Sequence, residues 1–173
     1  MIVLQGEQIP PWVQDLLTSE WAYLVLLALC VLEGLMVLRF MPSEVVVPGA
    51  LFFIGTSLAD VILIIIVAVI GTTTGQMLLF VLVRRGGRQY VVQRRWFPVS
   101  EERLERFDRW FDSWGPIVVP LSNTMLFVRG LFTFPAALSD MRWRTFLALS
   151  ALGSTVFQTI LAGIYLYAGR TVV

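Results

Sequence analysis

The chain contains no histidine, no lysine and a single cysteine, Cys30. Without an imidazole there is no His-based catalysis and no His-ligated zinc, and one thiol cannot form a disulfide within the chain. No acidic pair falls at metal-ligand spacing, so no metal, no cofactor and no enzymatic activity is expected; an intramembrane lipid phosphatase lacks its residues. Cys30 lies in an apolar segment and reads as a packing residue. Basic residues are missing before Arg39, so the N-terminal stretch lacks the charged region of a secretory signal and reads as part of the mature protein.

What is present is apolar: 57% of the 173 residues are hydrophobic and the mean hydropathy is +0.79, a composition that belongs in a bilayer. Residues 61–83 and 145–168 carry no charge, and each is longer than the roughly 20 residues that span a hydrocarbon core. A third span is expected over 11–32, with Asp15 and Glu20 near its start and Trp12, Trp21 and Tyr23 as interfacial aromatics. All thirteen basic residues are Arg, and Arg84, Arg85, Arg88, Arg94, Arg95, Arg103, Arg106 and Arg109 fall between the two uncharged runs. The positive-inside rule makes that loop cytoplasmic. The span 61–83 then runs inward, 145–168 runs outward, and the protein is a multi-pass resident of the cell (inner or plasma) membrane. The Arg-rich loop serves either as this topological signal or as a dock for anionic lipid. No nucleic-acid reader accompanies it.

Two further apolar stretches are interrupted. Over 33–57 stand Glu33, Arg39, Pro42, Ser43, Glu44, Pro48, Gly49 and Gly55; over 115–139 stand Gly115, Pro116, Pro120, Arg129, Gly130 and Pro135. Each internal proline removes a helical hydrogen bond and clashes with the preceding turn, so Pro42, Pro48, Gly49, Pro120 and Pro135 are expected to break the helices. Irregular backbone at membrane depth survives only when protein or water covers it. Two re-entrant hairpins satisfy this, the first entering from the outer face and the second from the cytoplasm. Pro48-Gly49-Ala50-Leu51 faintly echoes Pro135-Ala136-Ala137-Leu138, and each hairpin precedes a span. The expected fold is therefore an all-α integral membrane protein, residues 1–173 forming one membrane domain. It comprises an inverted repeat of two re-entrant helical hairpins, each followed by a transmembrane helix, plus an N-terminal helix and an interfacial amphipathic helix. Such repeats hold transporter sites near the midplane.

The amphipathic helix lies in the loop 84–114, with Ser100 as its cap, Glu101 and Glu102 in its first turn, and Leu104, Phe107, Phe111 and Trp114 on one face. The alternative is a helix packed on protein. Gly71 and Gly75 suit close helix contact, or the threonines between them face a polar cavity.

Taken together, Glu33, Pro42-Ser43-Glu44, Pro48-Gly49, Gly71-x-x-x-Gly75, Arg84, Gly87, Arg129, Pro135-Ala136, Phe146, Gly153 and Gly169 resemble the DedA family, the membrane proteins with a SNARE-associated or VTT domain. The resemblance covers about residues 30–170. It implies opposed re-entrant hairpins, membrane-embedded acidic and arginine residues needed for activity, and a transport role. Bacterial members are associated with recycling undecaprenyl phosphate and with the proton-motive force, eukaryotic relatives with lipid scrambling. The resemblance is to a divergent member: Asn123 and Leu126 stand where an R-x-x-P-x-x-R pattern has its first Arg and its Pro, and Gln76, Phe80, Ala137 and Phe157-Gln158 replace other usual residues.

The charges in the broken segments define the expected site. Arg129 offers a planar fork of donors that fits a phosphate, or it neutralises Glu44, Glu33 or Asp140 in a structural pair. Asn123, six residues earlier, adds hydrogen bonds, and Arg39 is a second-rank contact that alternatively snorkels to the outer headgroups. Glu44, with Glu33, is expected to handle protons, because burial raises a carboxyl pKa and a nearby arginine lowers it. The function expected is a flippase for a phosphate-bearing lipid such as undecaprenyl phosphate, probed against a non-selective phospholipid scramblase and a structural membrane partner without transport. Its partners are membrane lipids and protons, and the small-residue helix faces allow a homodimer.

Overall fold

The computed structural model describes residues 21–37, 43–54, 57–93, 101–124 and 130–171. All regular structure among them is helical: α1 (Ala22–Gly34), α2 (Ser43–Phe53), α3 (Leu58–Gln93), α4 (Glu101–Trp114), a 3₁₀ turn (Gly115–Ile117), α5 (Val118–Asn123), α6 (Thr133–Leu138) and α7 (Trp143–Thr171). Within these, Leu58–Gly87 and Trp143–Tyr167 are long and apolar enough to cross a membrane. They contain the runs 61–83 and, but for its last residue, 145–168.

The molecule is apolar on the outside as well as the inside. Ile62, Ile66, Ile70, Leu78 and Leu82 form an exposed stripe on α3, and Leu152, Val156, Ile160 and Ile164 form another on α7. Four-residue spacing sets successive members one above the other, in a stripe that winds slowly round the helix. A soluble domain does not tolerate apolar faces of this extent, whereas hydrocarbon solvates them.

Local chemistry explains the helix ends. Ser57 and Asp60 form a capping box on α3: the Ser57 N–H donates to Asp60 Oδ2 (2.9 Å) and the Asp60 N–H donates to Ser57 Oγ (3.2 Å), satisfying N–H groups that the helix leaves open. α1 closes with Met36 in the left-handed region at φ 58°, and the Val37 N–H reaches back to the Leu32 carbonyl at 3.1 Å. Gly87 (φ 72°, ψ 179°) interrupts the helical geometry of α3 near its C-terminal end, a conformation open to glycine and strained for other residues.

α1 lies directly on α3. A Cβ on Gly75 would sit 2.8 Å from Gly34 Cα and collide with the Val31 carbonyl; one on Gly71 would sit 2.6 Å from Cys30 Cβ. The two glycines thus serve helix contact inside the chain, and this face is covered by α1. Leu26, Cys30, Val47, Ala50, Ile64, Ala68 and Ala162 build one apolar core from α1, α2, α3 and α7. Leu79, Phe80, Val83, Phe134, Ala136 and Phe146 build another, beneath α6.

Several expectations need correction. Glu33 belongs to α1 rather than to an insertion after it, and of the expected N-terminal helix, residues 11–20 lie outside the described residues. Pro48 and Gly49 do not break the chain; both lie inside α2. Pro48 is one turn from the start, where it removes a single bond, to the Glu44 carbonyl, and the remaining backbone bonds carry the helix past it. Pro120 and Pro135 each stand third in a short helix, α5 and α6; in a first turn the missing N–H has no intrahelical partner to lose. Pro42 and Ser100 lie outside the described residues. On α4, the face expected to lie at the membrane interface is divided: Phe107 and Phe111 are buried, and Trp114 is 66% exposed. Protein covers the Phe107 part of the face: Phe132 meets Phe107 at 5.0 Å and stacks on Trp110 at 6.1 Å.

Candidate functional site

α3 and α7 run antiparallel in a regular register. Phe80 stacks on Phe146 with ring centroids 4.4 Å apart, Gln76 accepts a short hydrogen bond from the Ser150 hydroxyl, and Ile64 and Ala162 share a core. Each four-residue step along α7 matches a four-residue step back along α3. The same register sets Thr72 and Ala68 at the levels of Ser154 and Gln158.

Between the aromatic stack and the core that Ile64 and Ala162 share, this interface carries polar side chains. Gln76 donates from Nε2 to Asn123 Oδ1 at 3.0 Å, and Asn123 returns a bond from Nδ2 to Gln76 Oε1 at 3.1 Å. Asn123 also approaches the Ser150 carbonyl and hydroxyl, both at 3.4 Å. All three residues are buried. Asn123 ends α5, so this network fastens the arm before residues 125–129 to both long helices.

Further along, the partners run out. Thr72 satisfies its hydroxyl on its own helix, donating to the Ala68 carbonyl at 2.8 Å. Thr73 Oγ1, Ser154 Oγ and both amide atoms of Gln158 are buried with no hydrogen-bond partner, and Ser154 and Gln158 are 0% exposed. Leaving one such atom dry costs about 1–3 kcal/mol. The four atoms together would cost on the order of 4–12 kcal/mol, as much as the whole stability of an ordinary domain.

The second arm closes on the same region. An added Cβ at Gly130 (φ 77°) would lie 3.7 Å from Met36 Cγ and 4.0 Å from Gln76 Nε2. The chain neighbour of Arg129 therefore sits beside the amide network and beside the end of α1, where Glu33 is half-buried with its Oε2 enclosed. Arg84 ties down the far end of α6, donating to the Met141 carbonyl at 2.7 Å and the Ser139 carbonyl at 3.3 Å, with its guanidinium 5.3 Å from the Phe80 ring centre.

The model of the VTT domain, the domain of the DedA family, matches residues 41–169. The chain belongs to that family. No match was found among curated proteins or among solved structures. The span covered runs from the start of α2 to the end of α7. This VTT-domain chain thus combines membership of a membrane-protein family with two helices long enough to cross a bilayer.

Of the residues expected in the site, Asn123 is at the centre of the buried network and Glu33 is at the nearby end of α1. Glu44 is the second residue of α2; its side chain, like Arg129 and Arg39, lies outside the described residues. Among the described residues no group of three or more His, Cys, Asp or Glu side chains is arranged to hold a metal ion. Sequence reasoning treated Gln76 and Gln158 as departures from a pattern and passed over Ser150 and Ser154. The spacing of Ser150, Ser154 and Gln158 at four-residue intervals in a largely apolar helix is the available signal.

Proposed function

We propose that this VTT-domain protein is a transporter that flips a phosphate-bearing lipid, of the polyprenyl-phosphate kind such as undecaprenyl phosphate, across the cell membrane with proton coupling. The observation that carries the reading is the position of Gly130 against Gln76 and Met36. It brings the residue next to Arg129 to a buried polar network between the two long helices and to the α1 end that bears Glu33.

In this reading α2 with its preceding segment, and α5 with α6, are the two hairpins, entering from opposite faces, and the Arg-rich loop is cytoplasmic. Arg129 clamps the phosphate through its planar fork of donors. Asn123 orients it, and Arg39 is an outer contact. Phosphate arriving at Arg129 removes the counter-charge from Glu44, whose carboxyl then takes up a proton; departure of the phosphate reverses both steps. Glu33 is the second proton-handling carboxyl.

The test is transport in liposomes of purified protein. Polyprenyl phosphate should cross in response to a pH gradient, and Arg129→Ala and Glu44→Gln should each abolish crossing while the protein stays folded in the membrane. Normal transport in either variant overturns the site. Gradient-independent exchange of many headgroups would make the protein a scramblase instead.

A further inference from the structure

The stretch of α7 from Ser150 to Gln158 rises about 12 Å, under half of the ~30 Å hydrocarbon core. Over that length the facing surfaces of α3 and α7 carry no titratable side chain: residues 64–80 and 146–162 contain no Asp, Glu, Arg, Cys or Tyr. The elements packed against them add Tyr23, Cys30 and Glu33 on α1 and Glu44 on α2, while α5 adds none. Yet the interface is lined by hydroxyls and amides, and those of Ser154 and Gln158 meet no protein partner, nor does the buried hydroxyl of Thr73, the neighbour of Thr72 on α3.

Buried polar groups that protein leaves unmet are met by ordered water, each molecule bridging two to four of them. The residues opposite Ser154 and Gln158 in the α3 register, Thr72 and Ala68, are small. The Phe80–Phe146 stack lies at one end of the segment, and Ile64 and Ala162 belong to the apolar core at the other.

We propose that Thr73, Ser154 and Gln158 bind a file of internal water between α3 and α7, continuous with the Gln76–Asn123–Ser150 network, and that this water is the route by which a proton moves along the interface. The second half rests on the transport reading; the first does not. Neutral hydroxyls and amides cannot hold the charge themselves, but they orient water, which relays it by exchanging hydrogen bonds. A relay of this kind needs no acidic side chain inside the seam.

The water is tested without reference to transport, by water-edited solid-state NMR on the full chain in liposomes. The Gln158 side-chain amide should receive polarisation from water at a rate similar to exposed residues, while Leu79 and Phe146 remain dry. A Gln158 amide as slow as Phe146 overturns the proposal. For the proton route, Gln158→Leu and Ser154→Ala should melt no lower than the parent protein. In both, gradient-driven proton entry, followed with a pH-sensitive dye in the vesicles, should slow by roughly tenfold or more, the equivalent of one good hydrogen bond. Unchanged proton entry in both variants overturns the route while leaving the water standing. If the parent protein moves no lipid under any gradient, the transport reading and the route fail together, and the NMR result still decides the water.

Discussion

Gln76 and Asn123 exchange two amide hydrogen bonds, 3.0 and 3.1 Å long, inside the apolar interior. A pair of this kind binds α5 to α3 without any charge. Each partner alone is a liability. Asn123→Leu should destabilise the protein by about 1–3 kcal/mol, because it strands the Gln76 amide, whereas the double substitution with Gln76→Leu should recover much of that loss. Melting of the four proteins in detergent completes the cycle, and strictly additive losses would show that the amides do not depend on each other.

The contact of α1 with α3 is backbone on backbone. Gly75→Ala should lower stability by about 1–3 kcal/mol or more, since the Val31 carbonyl and Gly34 cannot retreat as a flexible side chain would. The same change at Gly163, where an added Cβ meets nothing within 4 Å, is the control and should be close to neutral. Equal melting temperatures for the two variants would contradict the packing.

Gly153 holds the corresponding place between α7 and α5. A Cβ there would approach the Pro120 carbonyl to 2.7 Å and Asn123 Cβ to 2.8 Å, so Gly153→Ala should push α5 outward and strain the amide pair at a cost of about 1–3 kcal/mol. Lipid transport should fall with it. Full stability and full transport in this variant would remove α5 from the site.

Arg84 is exposed, yet it reaches two carbonyls beyond α6 at once. Lysine keeps the charge but not the planar fork. Arg84→Lys should therefore speed hydrogen exchange of the amides around Ser139 to Met141 by roughly fivefold, the equivalent of about 1 kcal/mol. An unchanged exchange rate there would make the contact incidental.

The long helices were legible because uncharged apolar runs of such length have few alternatives, and α4 was legible from the spacing of Phe107 and Phe111. The role of Pro48 was not. A proline announces a lost bond in any sequence, but whether one bond decides the local structure depends on how the flanking helix is packed, and α2 is held by Val47, Ala50 and Leu51 in the core. Helical period places Trp114 on the same apolar face as Phe107 and Phe111, but it lies at the end of α4 just before the 3₁₀ turn. It is left facing an open groove beside Leu152 and Val156. The polar seam was hidden for a different reason. Charge stands out in an apolar segment, and Arg129 and Glu44 drew attention accordingly, while Gln76, Ser150 and Gln158 reveal themselves only when two distant helices are brought face to face.

The glycine contacts divide the molecule by how firmly its parts are joined. α1 cannot slide on α3, nor α5 on α7, without main-chain atoms overlapping, so each pair moves as a single piece. The pieces meet through apolar packing shared with α2 and α6 and through a seam of uncharged polar side chains, whose hydrogen bonds can let go and re-form at modest cost. Any rocking between the two pieces would exchange partners along that seam, where amides and hydroxyls can trade one acceptor for another.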